Sequence, residues 1–346
     1  MSRSPQTSPE GPPPNSPPLP PLVDRFGRRQ TYLRVSVTER CNLRCTYCMP
    51  PQGVALRPRE EILTFEEIER IVALLARMGV NKVRLTGGEP LVRHNLERLV
   101  AAIAAIPGIA TVAMTTNGVR LAEKSALLRA SGLGQLNVSL DTLSRERFQR
   151  IALRDEFGRV WAGIEAALAA GFAPLKLNMV VMRGVNDDEL LDFVELARER
   201  PINVRFIEYM PFKDNDWERQ RVVGYREMLD ALGARFEILP CADEDPAFVA
   251  RDFQVPGFRG RVSFITSMTD DFCAGCNRLR LLADGAMKSC LFSPPEDNLR
   301  LALRGGADEA QLERLIRRVV SLKQEKHAGL DTLAGLPNNS MIEIGG

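Results

Sequence analysis

The chain has 346 residues, of which 45% are apolar and 26% charged, and these proportions are those of a globular protein long enough for more than one domain. Its formal net charge is +2, so no overall field predicts nucleic acid or an acidic membrane surface as a partner. The sequence contains no run of about 18 apolar residues and no basic segment followed by an apolar stretch at its start. We therefore expect a cytoplasmic protein without a membrane span.

The first half of the chain predicts an α/β fold. Residues 1–21 are rich in proline and serine and lack apolar periodicity, so we expect a disordered tail there. From residue 22 to 233 strands alternate with helices, which indicates a parallel sheet. Six such strands are too few for a complete eight-fold barrel, so we expect a partial (β/α)6 TIM-like barrel. The strands are predicted at 33–37, 82–86, 111–116, 135–140, 175–181 and 204–210.

Two helices of this region carry sequence signals for a capping box. Thr64 with Glu67 opens a helix that is expected to end at Gly79, and Asn186 with Glu189 repeats the pattern. After residue 233 the pattern changes to short strands, "ARFEIL" and "RVSFIT", with a last helix at 308–326. We expect residues 234–346 to form a smaller C-terminal domain.

Six of the seven cysteines fall into two groups of three, and the chain has only two histidines. In a cytosolic protein this arrangement favours metal binding over disulfides and argues against Cys₂His₂ zinc. The first group is Cys41, Cys45 and Cys48, directly after the first strand, where the active sites of strand–helix barrels lie. Three thiolates in a short loop can hold three irons of a 4Fe–4S cluster and leave the fourth iron open to a small molecule. A zinc site completed from elsewhere, or reduced structural cysteines, are the alternatives.

The stretch C-x₃-C-x-Y-C, with Tyr47 as its aromatic residue, resembles the radical S-adenosylmethionine (SAM) superfamily. The resemblance implies that the open iron binds SAM, which one electron from the cluster splits into methionine and a 5′-deoxyadenosyl radical. It further implies SAM contacts at Gly88 of "TGGEP", at Ser139 of "NVSLD" and at Met210 of "YMP", each at a strand end.

The second group, Cys273, Cys276 and Cys290, again has three thiols. Cys241 could complete a Cys₄ zinc ribbon, but it lies far upstream in an acidic loop, so a second three-cysteine 4Fe–4S cluster is the sharper interpretation. C-x₂-C-x₁₃-C with "NRLR" inside it, together with the first motif, resembles the GTP 3′,8-cyclase family of molybdenum-cofactor biosynthesis.

The resemblance to this family implies an activity, a lyase reaction on GTP. A radical abstracts the 3′ hydrogen of the ribose, C3′ attacks C8 of the base, and the product is (8S)-3′,8-cyclo-7,8-dihydroguanosine 5′-triphosphate. It also implies that the second cluster binds guanine through its open iron, with Arg278 and Arg280 as catalytic side chains beside it. As partners it implies a one-electron reductant, the downstream cyclic pyranopterin monophosphate synthase and a second copy in a homodimer.

A triphosphate requires several cations, and the chain supplies candidates. An inward arginine or lysine on a barrel strand is costly unless it meets an anion. The residues that match GTP-contacting positions of the family are Arg34, Arg84, Thr115, Lys176, Arg278, Leu279 and Arg280. Gly345 and Gly346 are similar to the family's C-terminal diglycine, which implies a functional arm that reaches into the active-site pocket and is needed for turnover.

Two other functions remain open from the sequence. One is a radical SAM enzyme with an auxiliary cluster that acts on another substrate, such as a peptide, although a peptide substrate would not require the arginines of "NRLR". The other is a zinc-stabilised nucleic-acid-binding protein, which would need a basic face and four-ligand sites.

Overall fold

The computed structural model of the chain describes residues 17–213, 215, 217–241, 249–329, 332–333 and 340–345. Residues 17–21 of the predicted tail lie beside the first helix, where the Leu19 amide donates to the Arg77 carbonyl at 2.9 Å. The rest of that predicted tail, 1–16, lies outside the described residues. Within the described part of the chain, none of the helices combines the length and apolar character needed to cross a lipid bilayer.

The described strands form one large sheet, and its middle is a parallel array. The six strands expected from the sequence lie side by side in chain order, so the predicted partial barrel is confirmed. These strands are β1 (Tyr32–Ser36), β2 (Lys82–Thr86), β3 (Thr111–Thr116), β4 (Leu133–Ser139), β5 (Leu175–Val181) and β6 (Ile202–Glu208).

Strands from beyond residue 233 extend this array at both edges. The remaining strands are β7 (Leu239–Pro240), β8 (Arg251–Gln254), β9 (Arg261–Ile265), β10 (Arg278–Leu281), β11 (Ala286–Lys288) and β12 (Asp297–Asn298). Of these, β9 pairs parallel to β6, and β10 pairs parallel to β1. The parallel part of the sheet therefore continues across the predicted domain boundary at residue 233, which itself stays a prediction.

Helices cover the outer face of the sheet. Their bounds are α1 (Phe65–Arg77), α2 (Leu96–Ala104), α3 (Leu121–Ala130), α4 (Arg145–Ala152), α5 (Phe157–Ala169), α6 (Leu190–Glu199), α7 (Tyr225–Gly233), α8 (Leu299–Arg304) and α9 (Glu309–Ser321), with a C-terminal helical turn at Met341–Ile344. The capping box of Thr64 and Glu67 on α1 is confirmed.

The second capping box is wrong. The Asn186 side chain accepts from the Met182 amide at 2.8 Å and donates to the Asp141 carbonyl at 2.8 Å, so it joins two loops and does not cap a helix. Helix α6 begins only at Leu190, and Glu189 accepts hydrogen bonds from Thr142 and Leu143. Tertiary partners outcompete the local cap here.

Alternation along the strands places the functional side chains. In β5 every second residue is buried in the core beneath the helices, and the intervening Lys176 and Asn178 face the barrel interior. The same alternation in β1 sends Arg34 inward between the buried Leu33 and Val35. The interior of the barrel is therefore polar, while its outer wall supplies the apolar core.

Candidate active site

A cavity of about 570 Å³ runs through the barrel interior. At the carboxyl ends of the strands it is bordered by the loop that carries Cys41, Cys45 and Cys48, and at the amino ends by Thr31 and Asn81. Most of the side chains predicted from the sequence meet in it. The predicted residues that line it are Arg34, Cys41, Cys45, Tyr47, Cys48, Arg84, Gly88, Thr115, Ser139, Lys176, Met210, Arg278, Arg280 and Gly345.

The first cysteine group lies at the carboxyl-end rim, as predicted. Cys41 Sγ accepts hydrogen bonds from the Leu43 amide at 3.4 Å and from Asn117 Nδ2 at 3.7 Å. Burial raises the pKa of the Cys41 thiol to about 12, and a hydrogen bond to Cys45 together with burial raises the pKa of Cys48. Buried thiols of this kind gain from a cationic metal centre that stabilises their deprotonated form.

Gly87 and Gly88 let this loop lie directly against β2. A Cβ atom on Gly87 would lie 2.6 Å from the Thr38 carbonyl oxygen, and one on Gly88 would lie 2.5 Å from that of Arg40. The Gly88 amide donates to the Thr38 carbonyl at 2.7 Å. The close backbone approach expected at these glycines is thus made to the cysteine loop, and both residues also border the cavity.

Tyr47, Ser139 and Met210 surround the same rim. Tyr47 donates its hydroxyl to Asp141 Oδ2 at 2.7 Å, and Asp141 Oδ1 accepts from the Val180 amide at 2.9 Å. This chain of hydrogen bonds ties the cysteine loop to the ends of β4 and β5. Burial raises the pKa of Asp141 to about 6. The Met210 carbonyl accepts from Asn215 Nδ2 at 2.9 Å, which fixes the main chain at the end of β6.

Glu89 and Asn117 belong to this rim and were not among the residues predicted from the sequence. Glu89 is 1% exposed and accepts from the Asn117 amide at 2.6 Å and from Thr116 Oγ1 at 2.7 Å. Burial raises the pKa of Glu89 to about 7. The sequence did contain a signal for Glu89, because this residue directly follows the two glycines of "TGGEP" at a strand end. A carboxylate buried at such a place needs several hydrogen-bond donors.

The middle and the amino ends of the strands carry buried cations. Arg84 is 3% exposed, and it donates to the Tyr32 hydroxyl at 2.5 Å and to the Met114 carbonyl at 2.9 Å. Arg205 and Lys82 line the cavity with Arg34 and Lys176 but were missed in the sequence. Arg205 could have been predicted from the sequence, because it alternates with the buried Val204 and Phe206 of β6 just as Arg34 alternates with buried residues of β1.

These cations repel one another, and this repulsion shifts the pKa values of the side chains that line the cavity. Burial, with Arg205 and Arg84 nearby, lowers the pKa of Lys176 to about 8. Burial and Arg84 lower the pKa of Arg205 to about 10. Although burial opposes it, the charges of Arg84, Arg34 and Lys82 lower the pKa of Tyr32 to about 7. A polyanion in the cavity would relieve this repulsion.

The second cysteine group lies at the opposite end of the parallel strands. Cys276 comes shortly before β10, whose amino end lies beside that of β1, whereas Cys41 follows the carboxyl end of β1. The thiols of Cys273, Cys276 and Cys290 influence one another electrostatically, and Phe272, Asn277 and Leu291 beside them border the cavity. Cys241 instead follows β7, where its amide donates to the Asp252 carbonyl at 3.0 Å.

Two cations, Arg278 and Lys323, lie near Cys276 of the second group, and the Asp271 carboxylate accepts from the Cys273 amide at 3.1 Å. Although burial opposes it, Arg278 and then Lys323 lower the pKa of Cys276 to about 6. Arg278 Nη2 donates to Cys276 Sγ at 3.7 Å, and its guanidinium lies 4.6 Å from the centre of the Phe272 ring. Arg280 is 6% exposed, and burial lowers its pKa. The Leu279 side chain is fully buried in the core, on the face of β10 away from both arginines.

The C-terminal turn reaches into the cavity. Arg34 Nη2 donates to the Gly345 carbonyl at 3.2 Å, and Arg280 Nη1 donates to the Ile344 carbonyl at 3.4 Å. Gly345 has a φ of +76°, and a Cβ atom there would lie 2.4 Å from Thr86 Oγ1. Position 345 therefore requires glycine for two separate reasons. Gly346 lies outside the described residues.

The fold and the first cysteine loop together define a class of protein. A model of the radical SAM superfamily matches residues 35–197, which run from the end of β1 through the cysteine loop and β5 to most of α6. A second family model, Molybdenum Cofactor Synthesis C, matches residues 202–329. The two matches together span the barrel and the region of the second cysteine group.

Relatives over nearly the full length narrow the class to a family. The protein named GTP 3′,8-cyclase, mitochondrial, of Arabidopsis thaliana is 50% identical over 94% of this chain and 83% of its own length. GTP 3′,8-cyclase of Moorella thermoacetica is 45% identical over 88% of this chain and 95% of its own length. The chain belongs to the GTP 3′,8-cyclase family. Molybdenum cofactor biosynthesis protein 1 of Mus musculus is 48% identical over 94% of this chain, which spans 51% of that protein.

Two solved structures share the fold at low identity. Streptococcus suis SuiB bound to S-adenosylmethionine has a TM-score of 0.57 at 14% identity, over 85% of this chain and 69% of SuiB. Methylornithine synthase has a TM-score of 0.50 at 17% identity, over 89% of this chain and 86% of that one. At such identities the likeness concerns the fold alone.

Proposed function

We propose that this chain converts GTP to (8S)-3′,8-cyclo-7,8-dihydroguanosine 5′-triphosphate, as the first step of molybdenum-cofactor biosynthesis. The observation that carries the proposal is one cavity that joins three cysteines at one end of a barrel to a group of inward cations and, at the other end, to Phe272, Asn277 and Leu291, which neighbour the second cysteine group. A binder of SAM alone has no use for so many inward arginines, whereas a triphosphate substrate needs them.

The residues at the carboxyl-end rim suit a 4Fe–4S cluster and SAM. Cys41, Cys45 and Cys48 would hold the cluster, and Gly88, Ser139 and the main chain at Met210 border the space where SAM would bind. When bound, the cluster and SAM supply a 5′-deoxyadenosyl radical that removes the 3′ hydrogen atom of the GTP ribose. Tyr47 and Asp141 hold the cysteine loop rigid against β4, which fixes the position at which this chemistry occurs.

The residues of the other end suit the guanine and the second cluster. Cys273, Cys276 and Cys290 would hold that cluster, and Arg278 and Arg280 point from alternate positions of β10 into the cavity beside it. C3′ of the substrate then bonds to C8 of the base, and one further electron from the reductant and one proton complete the dihydro ring. The protein must hold ribose and base in a strained, folded-back arrangement for this bond to form.

The triphosphate would bind to the cations of the barrel interior. Arg34, Arg84, Lys176 and Arg205 each lie on a different strand and converge on the cavity. Burial and neighbouring cations lower the pKa values of Arg34, Lys176 and Arg205, so an anion in the cavity would stabilise their charged forms. The Gly345 carbonyl, held by Arg34, would keep the C-terminal turn next to the substrate.

Isotope transfer tests the proposal directly. The anaerobically reconstituted chain is incubated with SAM, dithionite and GTP that carries deuterium at C3′, and the nucleotides are analysed by mass spectrometry. We expect 5′-deoxyadenosine that contains deuterium, together with the cyclised triphosphate. If SAM is cleaved but GTP is recovered unchanged and the 5′-deoxyadenosine lacks deuterium, the chain is a radical SAM enzyme for another substrate.

Four further features belong to the proposal. The chain would act in the cytoplasm as a homodimer, although the Arabidopsis relative is named as mitochondrial. A one-electron reductant would supply both electrons of the turnover. A cyclic pyranopterin monophosphate synthase would then consume the product. Size-exclusion chromatography with light scattering measures the oligomeric state.

A further inference from the structure

Lys323 is a buried lysine that the proposed reaction does not use. It follows α9, is 2% exposed, and donates from Nζ to Gln30 Oε1 at 2.8 Å and to the Arg278 carbonyl at 2.7 Å. Its hydrogen bond to the Arg278 carbonyl places the ammonium group beside the segment that carries Cys276, two residues before Arg278. Burying an ammonium group is costly unless a negative charge compensates it, and a cluster held by Cys276 would supply such a charge.

Lys323 is held in this place by a network of hydrogen bonds from residues 24–30. Gln30 Nε2 donates to the Arg28 carbonyl at 2.9 Å and to Asp24 Oδ2 at 3.3 Å. Arg28 in turn donates to the Cys273 carbonyl at 2.7 Å and to the Gln324 carbonyl at 2.6 Å. Asp24, Arg28 and Gln30 thus clamp the segment after α9 against the loop of the second cysteines.

The two cysteine groups differ in the charges that surround them. The buried Glu89 carboxyl group lies near Cys41 Sγ, because Asn117 contacts both. At the second group, Arg278 Nη2 donates to Cys276 Sγ at 3.7 Å, and Lys323 Nζ donates to the Arg278 carbonyl at 2.7 Å. A carboxylate lies there as well, since Asp271 Oδ1 accepts from the Cys273 amide at 3.1 Å. Positive charge near a cluster stabilises its reduced, more negative form and raises its reduction potential, and hydrogen bonds to the ligand sulfurs act in the same direction.

We propose that Lys323 is a positioning residue that holds a fixed positive charge beside Cys276 and so raises the reduction potential of the second 4Fe–4S cluster. This inference rests on the proposed function, because it requires a cluster at Cys273, Cys276 and Cys290. The clamp of Asp24, Arg28 and Gln30 keeps the ammonium group in place without neutralising it, since Gln30 and the Arg278 carbonyl are uncharged acceptors.

A potentiometric titration tests this inference on the reconstituted full chain. The parent, Lys323→Met, Lys323→Arg and Lys326→Met are reduced stepwise with dithionite, and the clusters are followed by electron paramagnetic resonance. Lys326→Met is the matched control, because that lysine is three residues further along and exposed. A Cys45→Ala chain, which retains the second cysteine group, shows which of the two reduction waves belongs to the second cluster.

We expect Lys323→Met to make reduction of the second cluster harder by about ten-fold, which is a shift of about 59 mV to more negative potential for one electron. The wave of the first cluster should not move, Lys323→Arg should retain most of the parent potential, and Lys326→Met should match the parent. Unchanged waves in a Lys323→Met chain with full iron content would overturn the inference.

Two further outcomes keep the inference separate from the proposed function. A parent chain with about four irons and one wave would remove the second cluster and with it the proposed function, since each 4Fe–4S cluster has four irons. If Lys323→Met loses the second cluster, the titration is repeated on Lys323→Gln, which keeps a donor but no charge. A shifted wave in that variant supports the inference, and an unshifted one overturns it.

Discussion

The lowered pKa of Lys176 links its charge to both folding stability and GTP binding. Burial, Arg205, Arg84 and Lys82 lower its pKa to about 8, with Asp252 opposing them. A lysine with a lowered pKa destabilises the folded chain while it is charged. Between about pH 8 and the ordinary lysine pKa of 10.5, the unfolded chain holds this proton and the folded chain has released it. The free energy of unfolding should therefore rise across this pH range. A bound triphosphate reverses the preference, because it favours the ammonium form.

The affinity for GTP should therefore fall as the pH rises above about 8. Between pH 8 and 9 we expect a decrease of about five-fold, since binding then requires proton uptake by Lys176. Lys176→Arg should show a flatter profile, because a guanidinium keeps its charge in this range. Anaerobic titration calorimetry measures both profiles, and parallel curves for parent and variant would contradict the assignment of this pH dependence to Lys176.

Arg205 allows a second prediction for a single residue. Arg205→Ala should weaken GTP binding by about 10- to 150-fold, since hydrogen bonds to charged groups contribute about 1.5–3 kcal/mol. Arg235→Ala is the control, because that arginine is exposed just beyond α7. Equal dissociation constants for Arg205→Ala and the control would show that the triphosphate lies elsewhere in the cavity.

At the scale of elements, the C-terminal turn Met341–Ile344 depends on the glycine that ends it. Gly345→Ala should displace the turn from Arg34 and Arg280, because a Cβ atom would lie 2.4 Å from Thr86 Oγ1. We expect formation of the cyclised product to fall at least ten-fold, about 1.4 kcal/mol, while both clusters remain.

Gly306→Ala is the control for Gly345→Ala, because it introduces the same backbone strain without the steric contact. Gly306 has a φ of +84° like that of Gly345, but a Cβ atom there would have nothing within 4 Å. Its product formation should stay near that of the parent chain. A Gly345→Ala chain as active as Gly306→Ala would mean that the turn has no part in the reaction.

The strands of the barrel could be predicted because each has its own local pattern, and β1 to β6 lie where alternation and β-branched residues place them. The pairing of β10 with β1 could not, because a four-residue strand carries almost no periodic signal and its partner is distant in the chain. The failed capping box at Asn186 has the same cause, since Met182 and Asp141 supply partners that the sequence does not reveal. The inward position of Arg205 was predictable from the alternation of buried and inward residues along β6. The position of Lys323 was not, because it depends on tertiary contacts between the segment after α9 and Gln30.

At the scale of the whole molecule, the two cysteine groups lie at opposite ends of the same parallel strands. Strand β1 has five residues between these ends, a rise of about 16 Å. The substrate cavity lies between them, so each end can act on a different part of one nucleotide. The barrel thus holds two cysteine sites at opposite ends of one sheet.

This separation predicts two distinct losses. Cys45→Ala should abolish reductive cleavage of SAM, because the first cluster loses a ligand. Cys276→Ala should retain cleavage of SAM but form no cyclised product, and each variant should contain about four irons in place of about eight. Iron analysis and chromatography of 5′-deoxyadenosine measure both effects. Undiminished SAM cleavage in the Cys45→Ala chain would contradict the division of roles.

The pairing of β1 with β10 also has a consequence during synthesis. Asn277 donates to Thr31 across 246 residues of chain, at the point where the two strands begin. At roughly 5–20 residues per second, a ribosome needs roughly 12–50 s to make the second strand after the first. Through that interval the edge of β1 that pairs with β10 has no native partner, and an unpaired strand edge promotes aggregation. A nascent chain of this protein should therefore need chaperone protection until β10 emerges, and insertion of the second cluster has to wait at least as long.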